Sequence, residues 1–196
     1  MIRTVAATRY VTPLRQGGSL PAIVEADDDG LYVVKFRGAA QGVRTLIAEL
    51  VAGEIARALG LLVPELVFVE LDPLLGRAEP DVEIQALIEA SAGLNVGLDY
   101  LPGAIGYQPV ATPPETLLAS TVVWLDAYVT NVDRTVRNPN LLLWHRRVWL
   151  IDHGAALYFH YSGDDYLPRS HDAFAQISRH VLLPYATAVP EADALA

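Results

Sequence analysis

The stretch Asn131-Val-Asp-Arg-Thr-Val-Arg-Asn-Pro-Asn-Leu-Leu-Leu-Trp-His-Arg-Arg-Val-Trp-Leu-Ile-Asp-His-Gly154 decides how this chain is read. It opens with a polar loop that holds Asp133 and two asparagines, Asn138 and Asn140. An apolar run from Leu141 to Trp144 follows, then a short basic turn (His145, Arg146, Arg147). A second apolar run, Val148 to Ile151, ends at Asp152-His153-Gly154. Two apolar arms around a polar turn predict a β-hairpin. A hairpin brings its own ends together, so Asp133, one of the asparagines and Asp152 are expected to converge. Carboxylates with a carboxamide oxygen suit a hard divalent cation. In phosphoryl transfer the same set holds magnesium and orients an attacking hydroxyl.

A second feature lies far upstream. The chain has fourteen basic residues, and Lys35 is its only lysine. Lys35 sits in Leu31-Tyr-Val-Val-Lys-Phe36, a run of strand formers entered through Asp27-Asp-Asp-Gly30, which reads as a hairpin turn. A lysine kept where arginine is otherwise used suggests a task for a compact ammonium, such as reaching the phosphates of a nucleotide. The alternative is a lysine snorkelling from an edge strand.

Composition narrows the classes. At 196 residues, 52% of them apolar, the chain can build a real core and is not disordered. A net charge of −9 argues against a nucleic-acid platform, which needs a basic surface. No run approaches the ~18 apolar residues of a membrane span. Cysteine is absent, which removes disulfides, thiolate zinc sites and cysteine nucleophiles. The first residues lack the apolar core and cleavage site of a secretory signal, so a cytoplasmic location is the default.

Along the chain, residues 3–11, 20–26 and 31–36 read as strands. Thr45 to Leu59 reads as a helix burying Leu46, Ile47, Leu50, Val51, Ile55 and Leu59, stopped at Gly60. Glu65 to Leu71 reads as a further strand. Asp81 to Ala90 fits either a short helix or a strand. Leu94 to Leu101 is apolar and glycine-containing, a candidate hinge. Thr112-Pro-Pro-Glu115 is a helix start with Thr112 as cap. That helix should run to about Thr130 and bury Leu117, Leu118, Val122, Trp124, Leu125 and Tyr128. A last helix is expected near Asp172 to Leu182, with residues 186–196 frayed. The order predicts an α+β chain with a β-rich lobe over residues 1–101 and a mostly helical lobe over 102–196.

Three further candidates need weighing. Arg15-Gln-Gly-Gly-Ser19 fits either a loop whose backbone amides (Gly17, Gly18, Ser19) approach phosphates or a plain hairpin turn. Glu49 and Glu54 share the helix after Lys35, about 140° apart around it, so both cannot face the strand. The usual loop spacing from Asp133 points to Asn138 as the metal ligand. The start of the apolar strand points instead to Asn140. The five histidines lack zinc-protease spacing, and no Gly-x-Ser-x-Gly elbow is present.

With those residues in view, the chain resembles the HipA-like kinases and, more distantly, the type II phosphatidylinositol 4-kinases. The resemblance rests on Asn131-Val-Asp-Arg134, on Ile151-Asp-His-Gly154, and on Glu49-Leu-Val-Ala-Gly-Glu-Ile-Ala-Arg-Ala-Leu-Gly-Leu61 followed by Val63-Pro64. It covers roughly residues 12–160 and favours Glu49 over Glu54 as the partner of Lys35. It departs from ordinary protein kinases, because His153 stands where Phe is usual and no His precedes the Asp-Arg pair. It implies a bilobal protein-kinase-like fold with an apparently shortened C-terminal lobe, using ATP and magnesium to phosphorylate a hydroxyl. The acceptor would be a protein Ser/Thr or a small molecule. In that scheme Lys35 holds phosphates, Glu49 orients Lys35, Asp133 handles the acceptor, and Asp152 with Asn140 or Asn138 holds the metal. A nucleotide-binding pseudokinase and a nucleotidyl transferase on the same fold are the competing readings.

Overall fold

The structure is a computed structural model that describes residues 1–14, 20–39, 42–163 and 166–194. It is a mixed α+β chain, β-rich first and helical later. It comprises two compact units, one made of Met1–Leu50 with Pro64–Pro102 and the other of Val51–Val63 with Gly103–Ala196. No helix among the described residues is long and apolar enough to cross a membrane.

The first unit is a closed five-stranded barrel. Its strands are β1 (Thr4–Pro13), β2 (Ala22–Ala26), β3 (Leu31–Lys35), β4 (Leu66–Leu71) and β5 (Gly93–Asp99), hydrogen-bonded in the order β1-β2-β3-β5-β4. The Asp27–Gly30 turn joins β2 to β3, with the Ala26 amide donating to the Gly30 carbonyl at 3.0 Å. Alternation along each strand fills the barrel with Val24, Tyr32, Val34, Val67 and Val69, and Ile84 and Ile88 pack on that cluster. The last two come from α2 (Val82–Ala90), so the ambiguous stretch is a helix, its amides capped by Asp81. The outer faces of β4 and β5 carry Leu66, Val96 and Leu98, which pack on Leu46 of α1 (Gly42–Ala58).

Two local readings change here. Most of the Leu94 to Leu101 run is strand, because residues 93–99 form β5, hydrogen-bonded to β3 on one side and β4 on the other. Its glycine masked the strand pattern. Gly97 is required by close approach: a Cβ there would lie 2.6 Å from Val69 Cγ2 and 3.2 Å from Val67 Cγ2. Both neighbours are β-branched and stiff. Gly97→Ala should therefore lower unfolding free energy by about 1–3 kcal/mol, measurable by denaturant titration. The buried stripe of α1 is also rotated from the expected one. Ile47 and Val51 are exposed, whereas Ala48, Glu49, Ala52 and Ala56 are buried. The buried face is thus the one that carries the alanines, beside Leu46.

The second unit centres on α3 (Thr116–Tyr128). The helix starts at Glu115, whose carbonyl accepts the Ala119 amide at 2.9 Å, and not at Thr112. The Thr112 carbonyl instead accepts the Tyr107 hydroxyl at 2.5 Å. Leu117 and Tyr128 are exposed, contrary to expectation, and Asp126 is fully buried. A three-stranded antiparallel sheet follows, from β6 (Ile105–Gly106), β7 (Leu141–Trp144) and β8 (Arg147–Leu150). Trp144 pairs with Arg147, so the turn is His145-Arg146, both with positive φ as a two-residue hairpin turn requires. The expected helix over residues 172–182 does not form. Ala175–Arg179 makes a 3-10 turn, His180 is extended and bridges to Thr135, and a second 3-10 turn spans Leu183–Tyr185. After a short α4 (Tyr166–Arg169), the final helix is α5 (Val189–Asp193), in a stretch expected to fray. The Trp124 indole N–H anchors it by donating to Asp193 at 2.7 Å.

Candidate functional site

In the first unit, strand alternation sets where Lys35 points. Tyr32 and Val34 face the barrel interior, so Lys35 faces the other way. Its cross-strand partner is Val96, which lies on the face that packs against Leu46 of α1. One helical turn beyond Leu46 comes Glu49, and Lys35 Nζ is ion-paired to Glu49 Oε2. Both side chains are buried. Glu54 lies on the exposed side of α1, 3.4 Å from Arg57. A buried ammonium held by a buried carboxylate is expensive to desolvate, so it is weak evidence for a purely stabilising role. The proposed phosphate-approaching loop, Gly17, Gly18 and Ser19, lies outside the described residues.

In the second unit the hairpin register brings the loop residues together. Leu141 pairs with Leu150, and one step beyond that pair the Ile151 amide donates to the Asn140 carbonyl at 3.1 Å. This closes Asn140 onto the residue before Asp152. Asp133 lies opposite: its Oδ2 accepts from Asn138 Nδ2 at 2.7 Å and from Asn140 Nδ2 at 3.4 Å. Both asparagines thus sit on the same carboxylate, with Asn138 exposed and Asn140 buried. Burial pushes the Asp133 carboxyl above its ordinary pKa, the two asparagine donors pull against that, and the nearby Asp152 carboxylate adds to the rise. Two carboxylates that repel one another invite a cation between them. With the amide nitrogens of Asn138 and Asn140 committed to Asp133, the free ends of the two carboxamides are oxygens. No group of three His, Cys, Asp or Glu able to hold a metal occurs among the described residues. The set here is carboxylate plus carboxamide, all hard oxygen, and it fits magnesium, which retains several of its own waters.

Backbone strain concentrates around these residues. Thr130, Asn140, Asp152 and Leu157 all have φ between +50° and +56°. Asparagine and aspartate tolerate that region, but a β-branched threonine there is an outlier that its surroundings must enforce.

Of the residues that enforce this geometry, Asn131 and Arg134 lie in the motif read from the sequence, whereas Asp126 and His180 escaped that reading. Asp126 of α3 is wholly buried and receives three donors: Asn131 Nδ2 at 3.0 Å, Arg134 Nε at 2.5 Å and His180 Nε2 at 2.9 Å. Asn131 Oδ1 in turn accepts the Asp133 amide at 3.1 Å. Arg134, also buried, donates through Nη1 to the Asn140 carbonyl at 2.5 Å. Burial alone would push the Asp126 carboxyl up. The Arg134 guanidinium and the His180 donor outweigh it and hold the group well below the usual carboxylate range. A signal for Asp126 was present, since it falls four residues after Val122 on the apolar face of α3. For His180 there was none, because its partner is 54 residues away.

In comparison with known families, the family model described as HipA-like kinase matches residues 8–187. No curated protein matches the chain.

Proposed function

The chain belongs to the HipA-like kinase family, and on that premise we propose that it is a protein-kinase-like, ATP-dependent phosphotransferase acting on a hydroxyl, with a protein Ser/Thr as the favoured acceptor. The observation that carries this reading is the gathering of Asn138 and Asn140 on the Asp133 carboxylate, with Asp152 close enough to raise its pKa. Asp133 accepts the acceptor's proton as the new O–P bond forms and the bond between the β,γ-bridging oxygen and the γ-phosphorus breaks, releasing ADP. Its raised pKa moves it toward the operating range of a general base. Lys35, oriented by Glu49, neutralises phosphate charge. Asp152 and Asn140 would hold magnesium, which would supply charge neutralisation at the phosphate oxygens. Asn138, exposed and donating to Asp133 by the shorter bond, orients the base.

Labelled ATP tests the class of reaction. Transfer of label from the γ position supports the kinase reading. Transfer from the α position makes the chain a nucleotidyl transferase, and binding without transfer makes it a pseudokinase.

The roles of the two asparagines separate in a magnesium titration. Asp152→Asn and Asn140→Ala should each raise the magnesium needed for half-maximal turnover by at least about tenfold. Asn138→Ala should lower turnover without shifting that midpoint. A midpoint shift confined to the Asn138 variant would reverse the assignment.

A further inference from the structure

We propose that the C-terminal segment His180–Asp193 is a positioning element for the catalytic loop, with His180 as its working residue; this rests on the kinase reading above.

The segment is fastened to α3 at two points beyond His180. The Ala188 amide donates to the buried Ser120 hydroxyl at 3.0 Å, and Trp124 bonds Asp193 at 2.7 Å. Leu182 is fully buried between these points and His180. At its other end the segment lies along the loop that carries Asp133. The Val181 amide donates to the Arg134 carbonyl at 3.1 Å, and His180 bridges to Thr135. The segment therefore grips the two residues that directly follow Asp133.

The imidazole adds a second, longer connection. The Leu182 amide donates to His180 Nδ1 at 3.1 Å, so that nitrogen carries a lone pair. The ring proton is on Nε2, which donates to Asp126 Oδ2 at 2.9 Å. Asp126 divides that restraint between two routes. Through Asn131 it reaches the Asp133 amide, and through Arg134 it reaches the Asn140 carbonyl. His180 touches neither substrate nor metal in this scheme. It fixes the orientation of the one carboxylate on which both the base and a metal ligand depend. Geometry of this kind governs turnover more than binding, because a displacement of about 1 Å at the reacting groups costs about a hundredfold in rate.

Two substitutions dissect the ring. His180→Gln places an amide N–H near the position of Nε2 and keeps the donation to Asp126. His180→Asn keeps an acceptor for the Leu182 amide but is too short to reach Asp126. In magnesium-dependent ATP turnover, with water as acceptor, His180→Asn should lower kcat about ten- to a hundredfold, with KM for ATP within about twofold of wild type. His180→Gln should recover most of kcat. Hydrogen exchange over residues 131–140 supplies a readout independent of activity: exchange should quicken in His180→Asn and return toward wild type in His180→Gln. Equal defects in both variants, or unchanged exchange in a folded His180→Asn protein, would overturn the proposal. Wild-type protein that turns over no ATP would instead remove the kinase reading, and the exchange comparison would still decide whether His180 holds the loop.

Discussion

Asp133→Asn is expected to lower γ-phosphate transfer about a thousandfold, within the range of roughly 10²–10⁴ attributed to a positioned general base, while ATP still binds. The substitution is close to isosteric, and the new amide oxygen can still accept from Asn138 or Asn140, so the loop keeps its shape. What disappears is the proton acceptor of the proposed reaction. The Asp133 backbone amide stays bonded to Asn131, because that bond does not involve the altered side chain. The loss should therefore fall on kcat and leave KM for ATP nearly unchanged. Single-turnover kinetics beside an equilibrium titration of ATP and magnesium provides the check. A variant that keeps more than a tenth of wild-type transfer would show that Asp133 is not the base.

The parts of this site that were legible in the sequence are those whose logic is local. The apolar arms on either side of His145-Arg146 announce a hairpin, and a hairpin forces Asn140 and Ile151 together whatever the rest of the chain does. Lys35 was conspicuous by composition, and strand alternation alone turns it out of the barrel. What stayed hidden depends on distant partners. The run Leu94 to Leu101 reads as a hinge because Gly97 interrupts it. In the folded chain that glycine is what lets β5 lie against Val67 and Val69. The α1 stripe was misjudged because the spacing of its larger apolar side chains was followed, whereas the buried face carries Ala48, Glu49, Ala52 and Ala56 beside Leu46. Residues 172–182 have helical composition, yet the bridge from His180 to Thr135 holds that end of the segment extended. Tertiary hydrogen bonds overrode local propensity there.

The largest effect on stability should come from Asp126. Arg134 and Asp126 are both buried, and removing the carboxylate leaves a guanidinium without its counter-charge in the interior. Breaking a buried pair from one side costs about 3–5 kcal/mol, a large share of the roughly 5–15 kcal/mol that holds a typical domain folded. Asp126→Leu should therefore be severely destabilised in denaturant titrations. Asp126→Leu combined with Arg134→Met should recover much of the loss, since an apolar pair of similar volume avoids the desolvation of both charges. Activity should not recover with it, because the double variant no longer ties Asn131 and the Asn140 carbonyl to one carboxylate. Acidity gives an independent check through the milder Asp126→Asn. The folded-state pKa of Asp126 is depressed, so its contribution is complete above the unfolded carboxylate value of about 3.9 and fades as pH falls toward the folded value. The stability gap between wild type and Asp126→Asn should stay constant above about pH 5 and narrow below about pH 4. A gap that widens with acid would mean the carboxyl is not held in its charged form. Recovery of turnover in the double variant would mean that the Asp133 loop keeps its geometry without the Asp126 carboxylate.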